Sequence, residues 1–143
     1  MQSCLVSVSE LYALRNLVLR PGEPLHTTFY DKDHDVDTFH LAISIESKVL
    51  CIATFYPEKM DGVYSRNPYR LRGMATHPDF RRKSAATKLM KESFVFLKQK
   101  ECDILWCNAR LIAVEFYKSL GFVIGDPYES DTGIPHKTMS KVI

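Results

Sequence analysis

Three cations and a run of small residues stand together in Arg81-Arg82-Lys83-Ser84-Ala85-Ala86-Thr87-Lys88-Leu89-Met90, and the chemistry this spacing serves is anion binding. The first amides of a helix lack intrahelical acceptors and lie at the positive end of its dipole, so small side chains there let a phosphate approach the backbone. The cations add attraction at longer range. A second constellation, Asp33-His34-Asp35-Val36-Asp37-Thr38-Phe39-His40, offers oxygen and nitrogen ligand types. Its spacing follows no zinc or EF-hand pattern, so it is read as an acidic loop entering a strand and no metal is expected.

The elements around the basic segment fix its place. Tyr69 to Thr76 has strand character and is followed by the turn residues His77-Pro78-Asp79, giving the order strand, turn, phosphate-competent helix start. In that helix Ala86, Leu89, Met90, Ser93, Phe94 and Leu97 share one stripe, and Lys88, Lys91 and Glu92 lie elsewhere. Upstream, Ser7 and Glu10 have capping-box spacing, and Leu11, Leu14, Leu17 and Val18 predict a first helix ending near Pro21-Gly22. Residues 21–38 lack periodicity and are expected to form a long polar connection. Phe39 to Ile45 and Val49 to Tyr56 predict a hairpin turning at Glu46-Ser47-Lys48.

Downstream, Ile104-Leu105-Trp106-Cys107 predicts a buried strand over 103–108, parallel to 69–76 because a helix joins them. Residues 110–120 predict a helix closed by Gly121 as a left-handed cap, with Phe122 as its hydrophobic closure. The tail suggests one or two short strands around breaks at Gly125-Asp126-Pro127 and Gly133-Ile134-Pro135. The expected fold class is α+β: a mixed, mostly antiparallel sheet flanked by helices, in one domain spanning 1–143.

Composition bounds the function. A chain of 143 residues with formal net charge +2 is an ordinary globular sequence, and the basic cluster is a local patch. Four cysteines, Cys4, Cys51, Cys102 and Cys107, show no CxxC pair, which fits reduced thiols and a cytoplasmic location. No stretch has the length and apolarity of a membrane span or the form of a signal peptide.

Met74-Ala75-Thr76-His77-Pro78-Asp79-Phe80-Arg81-Arg82-Lys83-Ser84-Ala85-Ala86 resembles the acyl-CoA-binding motif of the GNAT superfamily of N-acyltransferases, in which Gln or Arg, two residues, Gly, one residue and then Gly or Ala open a helix. Ala113-Val114-Glu115-Phe116-Tyr117-Lys118-Ser119-Leu120-Gly121-Phe122 resembles a second segment of that family, in the right order and at the right distance. The resemblance implies that acetyl-CoA, as cosubstrate, lies between two parallel strands that splay apart, with its pyrophosphate on the helix opening at 84. Arg82, Lys83, Ser84, Ala85 and Ala86 would then supply backbone donors, Arg81 would fix the turn or neutralise phosphate, and Met74, Ala75 and Thr76 would line the pantetheine arm. Ser84 departs from the family's glycine. Arg110 stands where many relatives have asparagine, so a bond to the cofactor arm there falls to Arg110 or to Asn108.

The resemblance also implies transfer of the acetyl group to an amine by direct attack. Tyr117 then takes the role of general acid toward the departing thiolate, since a phenol stays protonated at neutral pH. Glu58, after the strand ending at Tyr56-Pro57, is the candidate base, directly or through water. Arg70 and Arg72 occupy positions where some relatives carry a basic-catalyst glutamate, and either is a candidate partner for an acidic group on the acceptor. The acidic residues 31–37 are a candidate attractor for a cationic amine, and Trp106 is expected in the core. A homodimer is open to such a protein. Two further classes fit the residues less well: a noncatalytic CoA-binding regulator, and a nucleic-acid or anionic-partner module on Arg81, Arg82 and Lys83, disfavoured by the modest net charge.

Overall fold

The computed structural model describes residues 1–81, 84–129 and 135–143, with 126–129 described by their backbone alone. Seven strands form one sheet in the order β1-β2-β3-β4-β5-β7-β6. They are β1 (Gln2–Val6), β2 (Phe39–Ile45), β3 (Lys48–Pro57), β4 (Pro68–Thr76), β5 (Ile104–Arg110), β6 (Val123–Glu129) and β7 (Pro135–Val142). Every neighbouring pair is antiparallel except β4 and β5. The α+β class and the parallel pair agree with the sequence reading.

Among the described residues three α-helices cover the sheet: α1 (Tyr12–Leu19), α2 (Ala85–Gln99) and α3 (Val114–Ser119). Period-2 alternation along the strands divides the apolar side chains between two faces. Leu41, Ile43, Cys51, Ala53, Phe55, Leu71, Leu105 and Cys107 pack with Leu89, Met90 and Leu97 of α2 and with Val114 and Tyr117 of α3. The alternate residues Ala42, Ile52 and Ala75 pack with Leu11 and with Leu14 of α1 on the other face.

Local sequence explains several boundaries. The end of α3 is a Schellman motif: the Phe122 amide donates to the Tyr117 carbonyl, the Gly121 amide donates to the Lys118 carbonyl, and Gly121 has φ +94°. The Tyr117 and Phe122 rings close it at 5.3 Å between centroids. Other expectations are corrected. The N-terminal residues pair as β1, an edge strand too exposed to show a clear alternation. The Ser7–Glu10 capping box does not form: a 3₁₀ turn, Val8–Glu10, precedes α1, and the Ser7 hydroxyl bonds Ser9. The strand predicted over 103–108 runs on to Arg110, because β7 pairs with it along its length. Residues 125–127 do not break the tail, since β6 passes through them with an irregular register against β7. Gly133 and Ile134 lie outside the described residues.

The connection over 21–38 is less polar in effect than its composition. Arg15 of α1 is fully buried and binds Asp33 through two parallel hydrogen bonds of 2.8 and 2.9 Å. The second N–H of each terminal nitrogen reaches the Thr28 carbonyl or the Thr54 hydroxyl, both at 2.7 Å, and the buried Nε is left without a hydrogen-bond partner among the described residues. His40 joins the network, with Nδ1 2.7 Å from the Thr54 hydroxyl and Nε2 3.0 Å from the Asp33 carbonyl oxygen. Asp33 is therefore occupied, and the expectation that the acidic residues 31–37 attract a cationic amine is corrected at Asp33.

This network makes stability depend on pH. Burial lowers the His40 imidazole below its ordinary value of 6.5, outweighing its contacts with Asp33. Burial alone would raise the Asp33 carboxyl, but the Arg15 hydrogen bonds and the Tyr30 amide outweigh it and hold the group below 3.8. In both cases the unfolded chain binds the proton more readily, so stability is complete above the unfolded value and is lost as pH falls toward the folded one. Melting temperature is expected to fall first below about pH 6.5 and again below about pH 4. Thermal unfolding across pH 3–8, with His40→Gln removing the first step, checks this.

Candidate active site

The parallel pair supplies the opening. β4 and β5 are in register only at Pro68 with Ile104, Tyr69 with Leu105 and Arg70 with Trp106. Beyond Arg70, β4 continues to Thr76 on the side of β3 and β5 continues to Arg110 on the side of β7. The two strands thus part company in the middle of the sheet. A bulge lies in the unpaired stretch of β4, where the register against β3 shifts between Ile52 and Thr54 and Gly73 has φ +68°. A bulge increases local twist and bends its strand, which turns β4 away from β5. Gly73 is required twice over: its backbone is left-handed, and a Cβ there would stand 3.0 Å from the Tyr30 ring.

At the far end of β4 the chain enters the predicted anion segment. The Asp79 amide donates to Nδ1 of His77, which therefore has the turn role its position suggested. Ser84 precedes α2 with φ +63° and ψ +11°, a left-handed conformation, and its side chain makes no cap bond. The first amide of α2 to find an intrahelical acceptor is that of Lys88, bonded to the Ser84 carbonyl. The amides of Ala85, Ala86 and Thr87 precede it, as the opening of a helix requires. A cavity of about 270 Å³ lies over this turn, and Thr76, Arg81, Ser84, Ala85 and Ala86 line it together with Phe116 of α3. Five of the residues predicted from sequence to hold the cofactor therefore share one cavity. Arg82 and Lys83 lie outside the described residues.

The remaining predicted residues are placed around the cleft. Met74 packs against the α2 and α3 side of the core, whereas Ala75 is buried under α1 on the other face. Asn108 accepts a hydrogen bond of 3.0 Å from the Thr138 hydroxyl, and Arg110 is exposed at the end of β5. Neither lines the cavity. Tyr117 is 6 % exposed, flanked by the Phe116 and Phe122 rings. Burial raises its phenol well above the ordinary value of 10.0, with Cys107 and Cys51 adding to the effect. Tyr117 belongs to the same buried cluster as Cys51 and Cys107, and the Cys51 sulfur lies 3.3 Å from the Thr76 hydroxyl.

The thiols themselves are poor nucleophiles. Burial pushes Cys51 up to about 11 and Cys107 up to about 12, so both are protonated at neutral pH. Glu58 sits on the other face, near the vertex of the splay. Arg70 donates to its Oε2 at 3.0 Å, Lys32 approaches Oε1 at 3.7 Å, and the Trp106 indole donates to its backbone carbonyl at 2.9 Å. Trp106 is buried, as its strand position implied. Among the described residues no group of three or more His, Cys, Asp or Glu side chains could hold a metal ion, and no helix is long and apolar enough to cross a membrane. A larger depression at Arg66, Asn67, Glu101 and Asp103 lies at the opposite end of β4, and its Asp103 carboxylate is taken by the Arg66 and Asn67 amides.

Sequence reasoning missed Arg15 and Tyr30, which support the bulge from the α1 face. The Arg15 guanidinium lies 3.9 Å from the Tyr30 ring centroid and that of Arg72 lies 4.2 Å away. One signal was available: Arg15 lies on the apolar stripe of the first helix, four residues from Leu11 and three from Val18.

Ser84 invites a direct test. A left-handed conformation costs a residue bearing Cβ about 1–2 kcal/mol relative to glycine. Ser84→Gly is expected to raise stability by about 1 kcal/mol, measured as a shift of the denaturant midpoint at constant m-value.

A splayed parallel pair, with a bulged strand feeding a left-handed turn and a helix start, defines an acyltransferase fold, and comparison with known proteins agrees. The acetyltransferase (GNAT) domain family matches residues 15–143, and the protein belongs to that family. It is 32 % identical over 125 residues to an uncharacterized N-acetyltransferase, YitI, of Bacillus subtilis (strain 168), covering 87 % of this chain and 84 % of that protein. In fold it is similar to an aminoglycoside 6'-N-acetyltransferase complexed with coenzyme A, with TM-score 0.78, 13 % identity and coverage of 99 % and 97 % of the two chains. The ribosomal-protein-S18-alanine N-acetyltransferase of Escherichia coli is similar with TM-score 0.73, 16 % identity and coverage of 99 % and 94 %.

Proposed function

We propose that residues 1–143 act as one domain that transfers an acetyl group from acetyl-CoA to a primary amine by direct attack within a ternary complex. The observation that carries this reading is the cavity at the start of α2, which gathers Thr76, Arg81, Ser84, Ala85 and Ala86 beside the unpaired end of β4. The amides opening α2 suit a pyrophosphate, and Arg81 adds a cation. The acyl-pantetheine arm would run along the splay, meeting the backbone of β4 from Met74 to Thr76 and the edge of β5 at Asn108 or Arg110.

In the reaction the amine nitrogen attacks the thioester carbonyl carbon, a C–N bond forms, and the C–S bond breaks as the tetrahedral intermediate collapses. The Tyr117 hydroxyl gives its proton to the leaving sulfur, so free CoA departs as a thiol. A phenol whose pKa is raised by burial is fully protonated at neutral pH and available as an acid. The ammonium proton leaves through water toward Glu58, whose Oε1 has among the described residues only the 3.7 Å approach of Lys32, and a proton returns through solvent to the Tyr117 phenolate, which restores both groups. Protonated Cys51 and Cys107 favour this direct route over a covalent acyl-enzyme.

The test is an amine panel in which release of free CoA is followed with acetyl-CoA as donor. Release with at least one amine class, matched by acetylated product in the mass spectrum, supports transfer. Tight CoA binding without release from any amine would instead support a noncatalytic CoA-binding protein.

A further inference from the structure

The cations facing the α1 side of β4 are not equivalent. Arg70 is committed to Glu58 at 3.0 Å, with its guanidinium 4.9 Å from the Trp106 ring, and Lys32 shares the same carboxylate. Arg15 is buried with both terminal nitrogens bonded to Asp33, Thr28 and Thr54. Arg72 lies two residues along β4 from Arg70, on the same face, and it is exposed. Among the described residues it has neither an ion-pair partner nor a hydrogen-bond acceptor for its guanidinium.

Arg72 is nevertheless held in place. Its guanidinium lies 4.2 Å from the centroid of the Tyr30 ring, and the Arg15 guanidinium lies 3.9 Å from the same centroid. Groups so close to a centroid lie over the ring, so Arg15 and Arg72 both pack on Tyr30. Arg15 is itself fixed by burial and by its paired bonds to Asp33. The result is a guanidinium packed on Tyr30, without an ion-pair partner among the described residues, immediately before the Gly73 bulge, where β4 has already left β5.

We propose that Arg72 anchors a carboxylate on the acceptor, which places the amine substrate in the class of amino acids. This rests on the acetyl-transfer reading. A strand advances about 3.3 Å per residue, so across the Gly73 bulge Arg72 lies at most about 7 Å along β4 from Met74, a separation that one guanidinium side chain can span. A carboxylate within a few bonds of the amine can then sit on the planar fork while the amine reaches the thioester beside the splay. Polyamines and aminosugars meet the reverse situation. They bring positive charge toward Arg72 and toward Arg70 and Lys32, which have one carboxylate between them.

The experiment compares free amino acids with their carboxamides as acceptors, following CoA release for the wild-type protein, Arg72→Ala and Arg72→Lys. A charge-assisted contact contributes about 1.5–3 kcal/mol, so the wild type should prefer acid over amide by roughly tenfold to a hundredfold in kcat/KM. Arg72→Ala should abolish that preference, chiefly through KM for the acid, and Arg72→Lys should restore part of it. Thermal melts establish that the variants are folded. Equal use of acids and amides by the wild type, or a preference that survives Arg72→Ala, overturns the carboxylate anchor and leaves the transferase reading standing. Absence of CoA release with every amine overturns both.

Discussion

Tyr117→Phe should lower kcat by about 10²–10⁴-fold, the range a positioned general acid contributes, while acetyl-CoA still binds. Phenylalanine keeps the ring that packs against Phe116 and Phe122, so fold and cleft are expected to persist and the loss should lie in the proton. Without the hydroxyl the sulfur must leave as a thiolate, and the penalty should shrink for acyl donors whose thiol is more acidic. Turnover on acetyl-CoA and on an acetyl thioester of lower leaving-group pKa, measured for both proteins, separates these effects. Equal turnover by Tyr117→Phe and wild type on acetyl-CoA would remove Tyr117 from the mechanism.

The second large effect concerns stability. Arg15→Met is expected to destabilise the fold by about 3–5 kcal/mol, the usual consequence of removing one partner of a buried ion pair. The Asp33 carboxylate would be left buried with only the Tyr30 amide, at 2.9 Å, among the donors described here. For a domain of this size such a loss corresponds to a fall in melting temperature of roughly 10 °C or more. Arg15→Met combined with Asp33→Leu should recover much of it, because a pair replaced by apolar groups no longer leaves a charge unpaired. Thermal and urea unfolding of the two variants decide the matter. A single variant as stable as the wild type would mean that the network contributes little.

What the sequence made legible was local. The start of α2, the Schellman end of α3 and the hairpin of β2 and β3 depend on neighbours within a few residues, and each was placed by residue type and spacing. The helix start at Ser84, Ala85 and Ala86 belongs to that group, whereas Thr76 entered the expected cofactor site through the family resemblance. The Arg15–Asp33 pair was hidden for the opposite reason. Its members are 18 residues apart, and each charge taken singly looks solvated. β1 escaped because an exposed edge strand has little reason to alternate. The geometry of Glu58 was equally out of reach, since its contacts with Lys32, Arg70 and Trp106 come from three different segments.

The short pairing of β4 with β5 also has a mechanical side. Four strands on one side and three on the other are joined edge to edge by three residue pairs. The sheet is thus two wings on a narrow hinge, and small rotations there are magnified at the open end. Tyr69 and Leu105, buried at the middle of the hinge, set the width of a cleft whose far end they do not touch. Changes in their volume are expected to alter that width without altering a residue at the open end.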